Sequence, residues 1–196
     1  MDINGNKSRF ISLVKDNIHR NGIDGLMSYI ESSDFYIAPA SIRYHENYEG
    51  GLCEHSLKVY DHMNVLNECY HMNIPAESIT ICSLFHDLCK INCYAASTKN
   101  VKDENGNWHT EPWYKWDEKE KYGGHGSKSV YIVQFFMPLN FEEAVAINCH
   151  MGPDGAKTDA VMDAFRDHPF AYLLHTADMI ATIPAFDVFC NRGIVL

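Results

Sequence analysis

The sequence contains no long apolar run. Windows of about 18 residues all hold a charged residue or a proline, and the two most apolar segments, residues 129–141 and 169–186, carry Pro138 and Asp178. A helix that crosses a membrane needs about 20 predominantly apolar residues, so no membrane partner is expected. The first twenty residues carry charged side chains throughout and no apolar stretch, which argues against a secretory leader. We therefore expect a cytoplasmic protein.

Positive charge and paired cysteines are also scarce. The chain has 16 Lys and Arg against 26 Asp and Glu, a formal net charge of −10. Such a balance disfavours binding of long nucleic acid through phosphate neutralisation alone, although it leaves a short nucleotide ligand open. The seven cysteines are an odd number and form no Cys-x-x-Cys pair, so buried free thiols are expected.

Length and periodicity predict one mostly helical domain over residues 1–196. With 46% hydrophobic and 21% charged residues, the chain can bury a core without disulfides. Apolar residues recur at three- and four-residue spacing, and Asn140 followed by Glu143 is close to a capping box. Helices are predicted at residues 9–20, 25–32, 52–72, 75–90, 125–137, 141–151, the later part of 152–167, and 169–183.

One segment breaks the helical pattern. Between Ile91 and Tyr122, Asn105-Gly106 is a type I′ hairpin signal flanked by β-forming residues, which predicts a β-hairpin at about residues 98–118. All three tryptophans of the chain lie in this region. The hairpin is therefore predicted either to wall or cover a pocket or to serve packing alone.

Three predicted core helices each contain polar residues that are costly to bury. His86 and Asp87 lie near the end of a helix that is apolar nearly all round, and His55 lies on the apolar face of the helix before it. Asp178 interrupts the apolar stretch of residues 173–179. Buried imidazoles and carboxylates need partners, and one metal ion bound where the helices cross would satisfy all of them.

The order of these residues resembles the H…HD…D signature of the HD-domain superfamily of metal-dependent phosphohydrolases. Residues 50–56 resemble the Gly-Gly-Leu-x-Glu-His motif of that family, residues 85–91 its His-Asp-[Leu/Ile]-Gly-Lys core, and residues 177–178 its closing Ala-Asp. The resemblance extends from about residue 45 to 183. Cys89 stands where glycine is usual, and because it is small it is not expected to matter. The resemblance implies an all-α HD-domain bundle with the inserted hairpin.

In the two-metal branch of this superfamily, two further histidines complete a second metal site. The first-metal ligands that the resemblance implies are His55, His86, Asp87 and Asp178. The second-metal ligands that it implies are Asp87, which would bridge the two ions, His125 and His150. The alternative for His125 and for His150 is an ordinary capping or surface histidine. Imidazole and carboxylate ligands favour Fe, Mn, Co, Ni or Zn, with Mg still allowed.

Further residues are candidates for substrate binding. Lys90, four residues after His86, is implied to be catalytic with Asp87 and to contact a substrate phosphate, or it is a solvated lysine at a helix end. Lys128 is a second phosphate-binding candidate. His45 either reaches the pocket or lies in an exposed loop. His175 is predicted to orient the Asp178 carboxylate.

These features predict a phosphohydrolase that acts on a nucleotide or another small phosphorylated metabolite through a metal-bound hydroxide. One alternative is a phosphodiesterase or 3′–5′ exonuclease, against which the net charge weighs. A second is a di-iron oxygenase, which in this superfamily uses the same ligands, and a third is a non-catalytic metal-stabilised module. The oligomeric state is left open, a homo-oligomer included.

Overall fold

A computed structural model describes residues 2–186 except 120, 122 and 154–157, and this part of the chain is mostly helical. One small antiparallel sheet of two strands, β1 (Tyr94–Lys102) and β2 (Trp108–Trp116), interrupts the helices. The described helices are α1 (Ile3–Asn17), α2 (Ile23–Glu31), α3 (Gly51–Cys69), α4 (Ala76–Phe85), α5 (His125–Phe136), α6 (Phe141–Cys149), α7 (Thr158–Asp167) and α8 (Pro169–Ala181). The predicted fold class, mostly helical with an inserted β-hairpin, is thus confirmed.

Two apolar clusters flank the central helices α3 and α4. In the first, Phe10 of α1 and Leu26 of α2 pack with residues of α3 and α4. In the second, Ile147 of α6 and Leu174 of α8 pack against other residues of the same two helices. The run from Ser78 to Phe85 in α4 is buried at every position, as its apolar sequence predicts. Side chains near the end of α4 consequently lie between the two clusters.

Helix ends differ from the predictions at two informative places. Helix α1 begins at Ile3 rather than at residue 9, because the Asp2 side chain caps it by accepting from the Gly5 amide at 2.8 Å. Helix α4 ends at Phe85, five residues before the predicted end at Lys90. Asp87 leaves the helical conformation (φ −109°, ψ 19°) and residues 88–90 form a 3₁₀ turn. The chain therefore turns where the candidate site residues lie.

The hairpin is longer at its base than the predicted 98–118, with Tyr94 paired to Trp116 and Lys102 to Trp108. Its loop is not a two-residue type I′ turn, because Gly106 (φ +86°) has positive φ and Asn105 does not. The Asp103 carboxylate accepts from the amides of Asn105 and Asn107 at 2.9 and 2.7 Å. This bonding closes the five-residue loop 103–107 between the strands instead.

An ion pair between the partly buried Arg20 and the buried Glu143 joins the segment after α1 to α6. The predicted capping box is confirmed, since Asn140 accepts from the Glu143 amide and Glu143 from the Asn140 amide, each at 2.9 Å. Glu143 also accepts from Arg20 at 2.6 and 2.7 Å and from Ser78 at 2.7 Å.

Among the described helices, none is long and apolar enough to span a bilayer.

Candidate metal centre

Four helices bring five predicted ligands together in the interior. His55 lies in the second turn of α3, His86 and Asp87 directly follow α4, His150 directly follows α6, and Asp178 lies in α8. All five side chains are buried, with the exposed fraction of each residue at 8% or less. These residues therefore belong to a buried cluster of His and Asp side chains that could hold a metal ion.

His55 is held between two carboxylates. Its Nε2 lies 3.0 Å from Asp178 Oδ1, and its Nδ1 lies 3.6 Å from Glu46 Oε2. Burial lowers the pKa of His55, but the hydrogen bond to Asp178 and the nearby carboxylate of Glu46 outweigh this effect and raise the pKa to about 9. Glu46 is also paired with Lys58 at 2.8 Å. Sequence reasoning missed Glu46, whose only signal was a carboxylate beside His45 in an irregular segment.

His86 and His150 share one local geometry. Each is the first residue after its helix, and each ring Nδ1 lies close to the main-chain carbonyl three residues earlier, at 2.9 Å for Ser83 and 2.7 Å for Ile147. Because a carbonyl only accepts, both Nδ1 atoms must carry the proton. Although burial opposes it, Asp87 raises the pKa of His150, but when the two rings are neutral, as metal binding requires, their Nε2 atoms present lone pairs. Neither Nε2 has a hydrogen-bond partner among the described residues. A buried unpaired nitrogen costs about 1–3 kcal/mol, which a bound cation would offset.

The two oxygens of the Asp87 carboxylate face different partners. Asp87 Oδ2 lies 3.4 Å from His86 Nε2, 3.9 Å from His55 Nε2 and 2.7 Å from Lys90 Nζ. Asp87 Oδ1 lies 3.5 Å from His150 Nε2. Burial raises the pKa of Asp87, but Lys90 and His86 outweigh it and hold the pKa well below its usual range. The carboxylate is therefore ionised and is placed to serve two binding positions at once.

His125, a predicted ligand, opens α5 next to Asp87. Its Nδ1 lies 3.5 Å from Cys89 Sγ, and its ring stacks on Trp116 with centroids 5.7 Å apart. Burial lowers the pKa of His125. Cys89 was not predicted to matter, yet its Sγ also lies 3.9 Å from Asp87 Oδ1. The residue type was the available signal, because a cysteine thiol can bind a transition metal although the side chain is small.

Lys90 is buried rather than solvated, and it does not follow His86 along a helix face as predicted. The 3₁₀ turn directs its Nζ back onto Asp87 Oδ2, and the Ala40 carbonyl accepts a second hydrogen bond at 2.8 Å. The Tyr94 hydroxyl bonds the same carbonyl at 3.0 Å. Burial lowers the pKa of Lys90, but Asp87 outweighs it and raises the pKa above its usual range, so the side chain is a cation.

The other substrate-binding candidates have different surroundings. Lys128 Nζ is paired with Glu118 at 2.7 Å, so its charge is partly neutralised. The His45 ring lies 4.6 Å from the ring of His55, which brings it to the site. Burial, with His55 and Lys90, lowers the pKa of His45 to about 4. His45 is therefore neutral near pH 7 and would bind as a hydrogen-bonding group rather than as a cation.

His175 was predicted to orient the Asp178 carboxylate, and this prediction is wrong. Its Nδ1 lies 2.7 Å from the main-chain carbonyl of His150 and does not bond the Asp178 carboxylate. The ring also stacks on Phe165 with centroids 5.2 Å apart. His175 therefore braces the backbone of one candidate ligand, His150, instead of orienting another.

A cleft of about 580 Å³ opens beside the cluster, and no described Asp or Glu lines it. Its lining combines three cations, Arg43, Lys90 and Lys115, with His45 and His125. The remaining large side chains of the lining are Tyr44, Tyr94, Trp113, Tyr114, Trp116 and Met151. A larger cavity of about 740 Å³ lies on the other side of His45 and includes carboxylates. The first cleft is the one suited to an anion that carries a ring.

Potential ligand atoms form a continuous series through the site. Within the described residues, four groups of three such atoms each lie within 4.8 Å of one another. The groups are His45–Glu46–His55, His55–His86–Asp178, His86–Asp87–His150 and Asp87–Cys89–His125.

Comparisons of the chain with protein-family models, with curated proteins and with solved structures found no match. The case for function consequently rests on these side chains.

Proposed function

We propose that this protein is a metal-dependent phosphohydrolase of the HD-domain type. Its substrate is a nucleotide or a similar small metabolite, and the bond hydrolysed is a phosphate ester or anhydride. The observation that carries the proposal is the pair of fully buried imidazoles, His86 and His150, whose unpaired Nε2 atoms approach opposite oxygens of Asp87. Such an arrangement is costly in a protein without a bound cation.

The donor set fits two divalent ions that share the Asp87 carboxylate. His55, His86, Asp87 and Asp178 would hold one ion, and Asp87, His125 and His150 the other. When bound, the ions supply a hydroxide at neutral pH and neutralise charge on the phosphoryl oxygens. Mixed imidazole and carboxylate ligation favours Fe, Mn, Co, Ni or Zn over Mg. The Nδ1 bonds of His86 and His150 to carbonyls fix the ring tautomers that such binding needs.

The cations of the cleft support a phosphorylated substrate. Lys90 is held by the Ala40 carbonyl and lines the cleft beside the ligand cluster, so its ammonium can neutralise a phosphate close to the reacting bond. Arg43 and Lys115 line the same cleft and would bind further phosphates. Sequence reasoning did not single out either of them, because only the fold brings them beside Lys90.

The aromatic side chains support a nucleoside as the rest of the substrate. Trp113 and Trp116 from β2 line the cleft. Lys99 Nζ lies 3.7 Å over one face of the Trp113 ring and His125 stacks on one face of Trp116, so a base would stack on the opposite faces. The chain carries a net charge of −10, whereas none of the described residues that line the cleft is Asp or Glu. This contrast favours a small anion over a long polyanion. The observations therefore favour a mononucleotide over nucleic acid.

A substrate panel tests the proposal. Nucleoside mono-, di- and triphosphates, cyclic nucleotides and short RNA are incubated with Mn²⁺, Co²⁺, Ni²⁺ or Mg²⁺, and released phosphate, pyrophosphate and nucleotide are measured. We expect chelator-sensitive release from at least one mononucleotide, abolished in Asp87→Asn together with both bound ions by elemental analysis. The matched control is Asp61→Asn, which removes a surface partner of Arg9. Absence of metal-dependent release, with oxygen-dependent oxidation under ferrous iron instead, would indicate the oxygenase.

A further inference from the structure

One thiol lies inside the proposed metal cluster. Cys89 is only 2% exposed, and its Sγ is 3.5 Å from His125 Nδ1 and 3.9 Å from Asp87 Oδ1. These three atoms form one of the groups whose members all lie within 4.8 Å of one another. A thiol, an imidazole and a carboxylate are a common set of ligands for a transition metal.

An independent observation directs this group toward a cation. His150 Nε2 is fully buried, has no hydrogen-bond partner within the described chain, and lies 3.5 Å from the same Asp87 oxygen that Cys89 approaches. The backbone of Cys89 is also fixed, because its amide donates to Ser129 Oγ at 3.1 Å. Ser129 belongs to α5, the helix that His125 opens, so both candidate ligands are held by one element.

We propose that Cys89 is a thiolate ligand of the second metal ion, together with Asp87 and His125. The inference rests on the proposed function for the presence of that ion. The thiol proton passes to solvent as the sulfur–metal bond forms, because a coordinated thiol is deprotonated. Sulfur is a soft ligand, so this position selects Zn²⁺, Co²⁺ or Fe²⁺ and disfavours Mn²⁺ and Mg²⁺. The two positions of the centre consequently differ in metal preference.

Cobalt titration of the metal-free full-length protein tests the thiolate directly. We expect a thiolate-to-cobalt charge-transfer band in the near ultraviolet, in addition to the visible d–d bands. Cys89→Ser should retain the d–d bands and lose the charge-transfer band. Since partners outside the coordination sphere are worth about 10–100-fold in metal affinity, removing a direct ligand should weaken zinc binding at the second position by about 100-fold or more. Cys93→Ser removes the neighbouring thiol, whose Sγ contacts the Cys89 carbonyl, and should keep the band.

Zinc X-ray absorption of the unmodified protein needs no variant and guards against misfolding of Cys89→Ser. One sulfur neighbour at about 2.3 Å for every two zinc ions supports the proposal. Two bound ions with only nitrogen and oxygen neighbours, or loss of the cobalt band in Cys93→Ser, overturn it and leave the hydrolase proposal intact. Absence of cobalt and zinc binding overturns both proposals. A sulfur ligand in a protein that hydrolyses no nucleotide of the panel supports the ligand assignment and contradicts only the proposed function.

Discussion

At the scale of single residues, the two helix-terminal histidines show how main-chain geometry can prepare a metal ligand. His86 and His150 each use a free carbonyl from the last turn of the preceding helix to fix Nδ1. The last carbonyls of a helix have no partner within it, so the helix end itself holds the ring. His175 adds a hydrogen bond to the His150 carbonyl and braces that position further. A histidine just beyond a buried helix is thus oriented without a dedicated carboxylate.

Lys90→Met separates metal binding from substrate binding. We expect unchanged metal content, because the ammonium is not a ligand, and a loss of about 30–1,000-fold in kcat/KM, which corresponds to roughly 2–4 kcal/mol of transition-state stabilisation. Steady-state kinetics and elemental analysis measure the two effects, and Lys15→Met on α1 is the surface control. If kcat/KM matches that of the parent, Lys90 serves only as a counter-ion for Asp87.

At the scale of elements, the early end of α4 is decisive for the site. In a helix that continued to residue 90, the side chains of Asp87 and Lys90 would follow the helical rotation about the axis. The 3₁₀ turn instead places Lys90 Nζ 2.7 Å from Asp87 and Cys89 Sγ beside His125. This turn is held by the Ser129 hydroxyl, which accepts from the Cys89 amide. Helix α5 therefore holds in place the segment that supplies Asp87 and Cys89 to the site.

Glu143 tests the contribution of the ion pair that ties Arg20 to α6. Glu143→Gln should lower the free energy of unfolding by about 1–3 kcal/mol, since it leaves the guanidinium with Glu77 and the Pro138 carbonyl as partners. Burial raises the pKa of Glu143, but hydrogen bonds from Arg20 and Ser78 outweigh it and lower the pKa. The contribution is thus fully present above an unfolded-state pKa of about 4.3 and is lost as pH falls through the lower folded-state value.

Urea unfolding from pH 8 down to pH 3 measures this effect. The difference between the parent and Glu143→Gln should stay constant at neutral pH and shrink in acid. Glu142→Gln, one residue earlier and exposed, should change the free energy of unfolding by less than about 1 kcal/mol. A Glu143→Gln difference that grows toward low pH would contradict the assignment.

The hairpin offers a matched pair of tryptophans on a single strand. Trp113 lines the cleft, whereas Trp108 lies at the far end of β2 and is 70% exposed. Trp113→Ala should raise KM for the preferred nucleotide by about 5–150-fold, the equivalent of roughly 1–3 kcal/mol of base stacking, and leave metal content unchanged. Trp108→Ala should leave KM as it is. Equal effects of both substitutions would show that the hairpin contributes to folding rather than to base binding.

At the scale of the whole molecule, the centre lies between the two apolar clusters and joins helices far apart in sequence. His55 in α3 and Asp178 in α8 are 3.0 Å apart although 123 residues separate them. Bound ions should therefore stabilise the fold. At a free metal concentration of 100 times Kd, one site contributes about 2.7 kcal/mol, which corresponds to about 5–10 °C in Tm for a chain of this length.

Calorimetry of metal-loaded and chelator-treated protein checks this expectation. The Tm of the parent should fall on chelation and recover when Zn²⁺ or Co²⁺ is restored. Asp87→Asn, which lacks the shared carboxylate, should show no response to chelator. An unchanged Tm in parent protein that has been stripped of metal would count against a buried metal centre.

The sequence alone predicted the helical class, the inserted hairpin and the polar residues His55, His86, Asp87 and Asp178 in core helices, because apolar periodicity and the cost of burying His and Asp are local signals. His150 was predicted only through the family resemblance. It did not determine which oxygen of Asp87 each histidine faces, the early end of α4, or the places of Cys89, Glu46 and His175. Those depend on contacts between segments distant in the chain, such as Ser129 with Cys89 and His175 with the His150 carbonyl. The tertiary structure also decided the cleft: Arg43 and Lys115 lie in separate segments, and only packing of the hairpin beside residues 40–45 places them with Lys90.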